Sequence, residues 1–348
     1  MGRFESSPLY QLSWARMLSF LREPEAIFWV FAFPILLALA LGIAFRSSGP
    51  QRSMVGVEAG PRADVIARAL EGAPDLSVRI FTPEEGRAAL RRGKISVLVR
   101  STAEGPPTLV YDPSRPETRL AQLVVVDALE RAAGRRDPLA LRSDTAVRPG
   151  ARYIDFLLPG LIGLNLLGTG MWGIGFPVAN ARQLKLLKRL VATPMRRGDY
   201  LLSLMLARLV WLVLEVVAIV TFGWLVFGVQ MRGSWAGFVT VNLVGAMVFS
   251  AMGLLVASRA RTIEAVSGLM NVVMMPMWML SGSFFSSDRF PAAMQPLVRA
   301  LPLTAANDAL RALMNEGASF AATLPHLGIL LAWGIASFFL ALKLFRWE

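Results

Sequence analysis

Long uncharged stretches alternate with charged segments along this chain, and the alternation predicts several membrane-spanning helices. Residues 26–45 form the first stretch, which is twenty residues long and carries no charge. At about 1.5 Å of rise per residue, such a helix crosses roughly 30 Å, the thickness of the hydrocarbon core of a bilayer. Pro34 lies within this stretch and predicts a kink.

Five further apolar stretches predict six spans in total. They cover residues 156–181, 209–229, 234–257, 265–287 and 324–342. The second span contains six glycines. Small residues allow close helix packing in lipid, so we expect this span to face protein rather than lipid. Residues 288–323 are too polar for a full crossing but contain short apolar pieces, which predicts a re-entrant segment covered by protein or water.

Residues 46–152 interrupt the apolar pattern. They hold 18 of the 36 basic and 13 of the 24 acidic residues. Four short runs typical of strands alternate with three helical stretches, which indicates a small α/β domain between the first two spans. Thr82 followed by Glu85 predicts a capping box at one of these helices. The predicted fold class is therefore a polytopic α-helical membrane protein of six transmembrane helices with an inserted α/β extracytoplasmic domain.

Residues 1–25 precede the first span, and the part from residue 8 onward has one apolar and one charged side. Trp14, Met17 and Leu18 contribute to the apolar side. This pattern is typical of an amphipathic helix that lies at the membrane interface. The alternative is that these residues extend the first span.

Charge predicts the orientation. The net charge of +12 would suggest nucleic acid for a soluble protein. Here the Lys and Arg residues collect where the cytoplasmic ends of spans are expected. With the N-terminus inside, 14 basic residues fall in the inner segments and four in the short outer ones. We therefore expect a multi-pass protein of the cell (inner) membrane, in contact with lipid and not nucleic acid, with both termini cytoplasmic and residues 46–152 outside.

The sequence offers no chemistry of its own. It has no cysteine and a single histidine, so a metal site is not expected. No acid–base cluster or nucleophile motif converges, so no catalytic residues are predicted. No GxxxxGK[ST] motif is present to hold nucleotide phosphates. No cofactor is expected in this chain, and ATP with Mg²⁺ would have to be bound by a partner.

The loop 182–200 carries the most informative pattern. Its apolar stripe consists of Leu184, Leu187 and Leu190. Its basic face consists of Lys185, Lys188 and Arg189, and Pro194 ends the helix. A helix with this pattern can insert its stripe into a groove on a soluble partner or rest on anionic headgroups, and the residues leave both readings open.

Four runs resemble the membrane subunits of type-2 exporters of the ATP-binding-cassette (ABC) class. They are YIDFLLPGLIGLNLLGTGMWGIGF, KLLKRLVATPMRRGDYLLS, RTIEAVSGLMNVVMMPMWMLSGSFF and LPLTAANDALRALM. The resemblance extends over nearly the whole chain. It implies that the helix 184–194 docks on an ABC ATPase subunit, that residues 9–21 form a connecting helix, that residues 291–313 are exit-side re-entrant helices, and that two permease subunits pair. The large insert departs from the compact members.

Charged and amide side chains inside the predicted spans call for partners. Glu215 is the intramembrane carboxylate, and a paired or functional role is the default for such a group. Arg208 lies seven residues earlier, so we expect no direct pair and look for a partner on another helix, with a proton or substrate role as the alternative. Asn165, Asn242 and Asn271 are expected to be buried and to bond between helices.

The fifth span predicts a path for an apolar substrate. Polarizable side chains suit variable hydrophobic ligands, although they also suit ordinary packing or lipid contact. The candidate path consists of Asn271, Met274, Met275 and Trp278, with Phe284 and Phe285 as a constriction.

The combined expectation is the permease subunit of an ATP-driven ABC exporter for a hydrophobic or amphipathic, drug-like or lipid-like substrate. Its partners would be an ABC ATPase and a second permease, in a homodimer or heterodimer. The alternative is a membrane-anchored receptor or assembly scaffold whose external domain binds a ligand.

Overall fold

The computed structural model describes residues 8–45, 52–101, 105–136, 139, 150, 152–186, 197–260 and 262–344. The chain forms two compact units. One joins Met1–Arg46 with Val147–Glu348, and the other is Ser47–Ala146.

Six helical segments in the described residues are long and apolar enough to cross a membrane. They are Pro24–Ala44, Tyr153–Gln183, Leu202–Phe227, Trp235–Ala257, Ile263–Leu280 and Ala321–Leu344. Among the described residues, the predicted number of six spans is confirmed.

The first span contains a π-helical turn. Helix α1 (Pro8–Leu21) precedes it, and the span itself consists of α2 (Pro24–Ile27), the π-helical turn Phe28–Ala32 and α3 (Phe33–Ala44). The N–H of Phe33 donates to the carbonyl of Phe28, five residues earlier. The irregularity that Pro34 predicts therefore takes the form of a π-helical turn just before the proline.

The second unit is a small α/β domain. Its strands are β1 (Ser53–Glu58), β2 (Leu76–Phe81), β3 (Val97–Arg100) and β4 (Thr108–Tyr111), and its helices are α4 (Ala63–Glu71), α5 (Pro83–Arg91) and α6 (Pro116–Ala132). The sheet order is β2-β1-β3-β4, with β1 parallel to β2 and β3 and with β4 antiparallel to β3. Val55, Val57, Val97 and Val99 on one face and Leu98 on the other are fully buried, as expected for strands covered on both faces.

The capping box predicted for the insert is confirmed at the start of α5. The Thr82 hydroxyl accepts a hydrogen bond from the Glu85 amide, and the Thr82 amide donates to the Glu85 carboxylate at 3.3 Å. The Thr82 hydroxyl also donates to that carboxylate, and this bond holds the pKa of Glu85 below its usual range. Because the folded pKa is lowered, the stabilisation is present at neutral pH and is lost as the pH falls through that pKa.

The remaining spans are α7 (Tyr153–Gln183), α8 (Arg197–Phe227), α9 (Trp235–Ala257), α10 (Ile263–Leu280) and α13 (Leu324–Leu344). Two short helices, α11 (Gln295–Ala300) and α12 (Pro302–Asn315), lie between α10 and α13. The prediction that the fifth span continues to Ser287 is wrong, because α10 ends at Leu280 and Gly282 adopts a left-handed conformation with φ of +71°. A residue at positive φ cannot continue an α-helix.

Helix α7 is the packing centre of the spanning unit. Of the 18 most apolar consecutive residues of α7, 72% are buried within the chain. The corresponding share is 22% in α8, in α10 and in the first and last spans. Small residues make this possible. A Cβ added to Gly170 would lie 2.7 Å from the Phe249 side chain on α9, and one added to Gly253 would lie 2.6 Å from the Met171 carbonyl oxygen. Helices α7 and α9 therefore pack with their backbones close together, as the glycine content predicts.

Candidate functional site

A buried ion pair lies midway along the spans. The Nη1 atom of Arg208 donates to Oε1 of Glu215 at 2.8 Å, and both residues belong to α8. Thr169 of α7 donates to Oε2 of Glu215 at 3.2 Å, and its hydroxyl also accepts a hydrogen bond from Arg208. Arg208 is 6% exposed and Glu215 is 2% exposed. These three residues are the ion-pair cluster.

The expectation that Arg208 and Glu215 are too far apart to pair is wrong. Seven residues correspond to roughly 10 Å along a helix and return to nearly the same face. A guanidinium and a carboxylate, each on an extended side chain, reach towards one another over that distance. The main partner of Glu215 therefore lies on its own helix, and the neighbouring helix contributes the Thr169 hydroxyl.

The ion-pair cluster continues to the first span. Thr169 also contacts the carbonyl oxygen of Asn165, and Nδ2 of Asn165 donates to the carbonyl oxygen of Val30 at 3.4 Å. Pro34 has no N–H with which to bond that carbonyl four residues earlier. Asn165 therefore occupies a backbone acceptor that the proline leaves open, and one polar network joins the first span, α7 and α8.

Only one of the three predicted intramembrane amides bonds between helices. Asn165 does so, as expected. The prediction is wrong for Asn242, which donates within its own helix to the carbonyl oxygen of Phe238 at 2.8 Å. It is also wrong for Asn271, which is exposed on the surface of α10. Asn271 is exposed because α10 buries only the face that carries Val266, Met270, Met274 and Met277.

A second polar group joins α12 to the non-helical residues after α10. Nδ2 of Asn307 donates to the Ser281 carbonyl and to the Ser283 hydroxyl, both at 2.9 Å. Arg311, one turn further along α12, donates to the carbonyl of Gly282. We call these residues the α12 cluster. They bind the backbone that the early end of α10 leaves without helical partners.

The α12 cluster also contacts the first turn of α7. The Arg311 guanidinium lies 3.8 Å from the centre of the Phe156 ring, and its Nε donates to the Phe156 carbonyl at 3.4 Å. Nδ2 of Asn315 donates to the Asp155 carbonyl at 2.7 Å. These contacts fix α12, which the sequence predicts as part of a re-entrant segment, to one end of the central helix.

Substitution of Gly163 by alanine should destabilise the protein by about 1–3 kcal/mol, the usual cost of overpacking a tight site. A Cβ at this position would lie 2.0 Å from Oδ1 of Asn307, so the Asn307 side chain would have to leave the position in which it bonds Ser281 and Ser283. The matched control is Gly168→Ala on the same helix, where no atom lies within 4 Å of the added Cβ. Thermal unfolding of the purified protein in detergent should separate the two variants, and equal melting temperatures would contradict the proposed contact.

The other end of α7 contacts the end of α9 through one arginine. Nη1 of Arg182 donates to the carbonyls of Ala257 and Ala260 at 2.8 and 2.7 Å, and Nη2 donates to the Ser258 carbonyl at 3.2 Å. Helix α7 ends one residue later, at Gln183. A single guanidinium thus binds three backbone acceptors where α9 ends.

The predicted ATPase-coupling segment begins directly after this contact. Leu184 is 64% exposed, and Lys185 has a left-handed backbone with φ of +55°, which turns the chain out of the helix. The remaining predicted residues, Leu187, Lys188, Arg189, Leu190 and Pro194, lie outside the described residues, so their role stays a prediction.

The predicted connecting helix corresponds to α1, which packs along α8. The rings of Phe20 and Trp211 lie 4.3 Å apart, centre to centre. Trp14 is 51% exposed, whereas Met17 and Leu18 are half-buried. Trp14 therefore presents a large apolar surface that the described residues leave uncovered, and its proposed contact with an ATPase stays a prediction.

The residues of the predicted substrate path divide between two environments. Met274 is 1% exposed and packs in the core, apart from the exposed members, so its role in a substrate path stays a prediction. Asn271, Met275 and Trp278 share the exposed face of α10, because they are spaced by four and three residues. Beyond the helix, Phe284 is half-buried and Phe285 is 63% exposed.

Sequence reasoning missed several residues that the structure brings together. Thr169, Arg182, Asn307 and Arg311 each bind a group from another helix or loop. A signal existed for the last two, since they lie four residues apart and share a helix face within the run LPLTAANDALRALM. Within the described part of the chain, no group of three or more His, Asp or Glu side chains could hold a metal ion.

Comparison with known proteins identifies similar chains. A family model described as ABC-2 type transporter matches residues 124–315, more than half of the 348 residues. Nodulation protein J of Bradyrhizobium diazoefficiens is 26% identical over 202 residues, which cover 57% of this chain and 75% of that protein. The probable multidrug ABC transporter permease YbhS of Escherichia coli is 22% identical over 331 residues, covering 85% of this chain and 87% of that protein.

Proposed function

The chain belongs to the ABC-2 type transporter family, and from this premise we propose that it is the permease subunit of an ATP-driven exporter. It is a multi-pass membrane protein of the ABC permease type. In this proposal a separate ABC ATPase binds ATP and Mg²⁺, and a second permease subunit completes the transport path. The family match over residues 124–315 is the observation that carries the proposal, because that range contains α7 to α10 and α12.

The ends of the helices support a mechanical role for the spanning unit. Helix α7, the central span, leads directly into the basic and apolar segment that begins at Leu184. Helix α1, the proposed connecting helix, packs on α8 beside the ion-pair cluster. Movement of an ATPase bound to these two segments would reach the buried network through α7 and α8. Allosteric movements of this kind are rigid-body shifts of packed elements.

An apolar cargo, either drug-like or lipid-like, is the substrate class that fits the exposed face of α10. Met275 and Trp278 leave 63% and 44% of their surface uncovered, and Asn271 adds one amide to the same face. Flexible and polarizable side chains adapt to ligands of different shape. We place this face, with Phe285 beyond it, on the path between the two permease subunits.

The distribution of basic residues supports cytoplasmic termini and an extracytoplasmic insert. The chain lacks cysteine, so single cysteines can report on sidedness. In right-side-out vesicles, a membrane-impermeant maleimide should label Ala133→Cys in the insert and should label Lys343→Cys only after permeabilisation. Both residues are exposed. The reverse labelling pattern would overturn the proposed orientation.

Reconstitution tests the proposed function directly. The chain is co-expressed with its cognate ABC ATPase, purified, and placed in proteoliposomes with a lipophilic cationic dye or a fluorescent phospholipid as the probe. We expect ATP-dependent movement of at least one probe, with no movement when a non-hydrolysable ATP analogue replaces ATP. Transport that proceeds equally well without any ATPase subunit would overturn the proposal.

A further inference from the structure

We propose that Arg182 is a positioning residue that carries movement of the cytoplasmic segment after α7 to the ends of α9 and α10. The inference rests on the proposed function, because it assigns a route for the coupling that an ATPase-driven permease requires. It assigns a role to Arg182, which belongs to neither the apolar stripe nor the basic face predicted for the coupling segment.

The contact geometry suits a rigid link. The last carbonyls of an α-helix have no partner within the helix. Arg182 binds the carbonyls of Ala257, Ser258 and Ala260 with one planar guanidinium, whose donors are fixed relative to one another. A cation is also favoured at the negative end of a helix dipole. The guanidinium therefore fixes both the position and the direction of the chain as it leaves α9.

The same contact reaches α10. Helix α10 begins at Ile263, three residues after Ala260, and the Thr262 hydroxyl accepts a hydrogen bond from the Ala265 amide as its N-cap. Such a short connection transmits a displacement of the Ala260 carbonyl to the first turn of α10. Because α10 carries the exposed Met275 and Trp278, Arg182 links the proposed docking segment to the face proposed for substrate.

Close packing further along α7 explains why the end contact matters. The contacts of Gly170 with Phe249 and of Gly253 with Met171 hold α7 against α9 in the middle of both helices. Densely packed interfaces transmit strain, so the middles of α7 and α9 stay in register while their ends are joined by Arg182. When the α7 end moves, Arg182 determines whether the ends of α9 and α10 follow or stay behind.

The test compares Arg182→Gln and Arg182→Lys with Lys343→Gln, which removes an exposed positive charge near the end of α13. Each variant is purified with the ABC ATPase and reconstituted. We expect normal co-purification and basal ATP hydrolysis in all three. Transport per ATP hydrolysed should fall at least about tenfold in Arg182→Gln, the scale of losing hydrogen bonds from a charged group. Arg182→Lys should be intermediate, and Lys343→Gln should match the wild type.

A distance measurement separates coupling from simple structural support. Spin labels at Leu186→Cys, which lies outside the predicted apolar stripe, and at Glu264→Cys report the separation between the two segments, before and after vanadate trapping of the ATPase. We expect them to move together in the wild type, with little change in their distance, and to separate by several ångström on trapping in Arg182→Gln.

Other results would overturn either the inference on Arg182 or the proposed function. If Arg182→Gln transports with the wild-type ratio, or keeps the labels together on trapping, the link is not needed and the inference is overturned. If Arg182→Gln and Arg182→Lys both lose thermal stability and ATPase binding, Arg182 is a structural cap and the inference is again overturned. If the wild-type complex neither binds the ATPase nor transports, the proposed function fails instead.

Discussion

The Glu215→Leu variant is expected to lose about 3–5 kcal/mol of stability, the cost of removing one member of a buried ion pair. Arg208 would keep its charge while losing its carboxylate, and it is only 6% exposed. The leucine itself suits the apolar surroundings, so the loss comes from the unpaired guanidinium. Thermal unfolding in detergent and the monodisperse fraction after size-exclusion chromatography measure the effect.

The double variant Arg208→Met/Glu215→Leu should recover most of that loss. Replacing both members of a buried pair by apolar residues of similar size is often neutral or stabilising. Glu264→Gln provides the matched control, because it neutralises an exposed carboxylate at the first turn of α10 and should change stability by less than about 1 kcal/mol. A double variant as unstable as Glu215→Leu would show that the pair is not the source of the effect.

The same double variant separates the two roles considered for Glu215. If the folded double variant still supports ATP-driven transport, the role of the ion pair is structural. If it folds normally but transports nothing, the carboxylate takes part in transport itself. If wild-type transport depends on pH and the remaining transport of an equally stable double variant does not, the Glu215 carboxylate is the group that binds a proton.

The second large effect is expected at the proposed docking segment. Leu187→Asp should abolish co-purification with the ABC ATPase, because a carboxylate in an apolar groove loses its hydration without gaining a partner. Leu186→Asp is the matched control, since Leu186 is outside the predicted apolar stripe and is already 40% exposed. Affinity purification of the two variants from cells that co-express the ATPase gives the comparison, with membrane insertion verified in both.

Two results would contradict docking through the apolar stripe. If Leu187→Asp retains the ATPase and transports as well per ATP as the wild type, the stripe does not contact the partner. If both aspartate variants lose the ATPase equally, the segment binds by overall charge rather than through one face. The first result would favour the interpretation that this segment rests on lipid headgroups.

The spans were predictable from sequence because lipid imposes a strong constraint. A segment must satisfy its own backbone and remain uncharged for about twenty residues, so runs such as residues 26–45 have few alternatives. The strands of the insert were equally accessible, since short apolar runs between helical stretches fit a sheet covered on both sides. In both cases the information lies in neighbouring residues.

Most contacts of the polar clusters were not predictable, because the partners are far apart in sequence. Arg311 and Phe156 are separated by 155 residues, and Asn165 and Val30 by 135. The end of α10 was missed because the residues after Leu280 remain apolar enough to continue a span. The burial of Met274 was not predictable for a related reason, since α10 is apolar on most of its surface and its periodicity does not distinguish a buried side from an exposed one.

The π-helical turn Phe28–Ala32 contains one residue more than an α-helical turn of the first span would contain. If its hydrogen bonds reverted to the α-helical pattern, the stretch towards Pro24 would rotate by about 100° and advance by about 1.5 Å relative to α3. Helix α1 directly precedes this stretch, so its direction would change as well. Rewinding a single turn can therefore change the direction of α1 while α3, the other half of the same span, keeps its position.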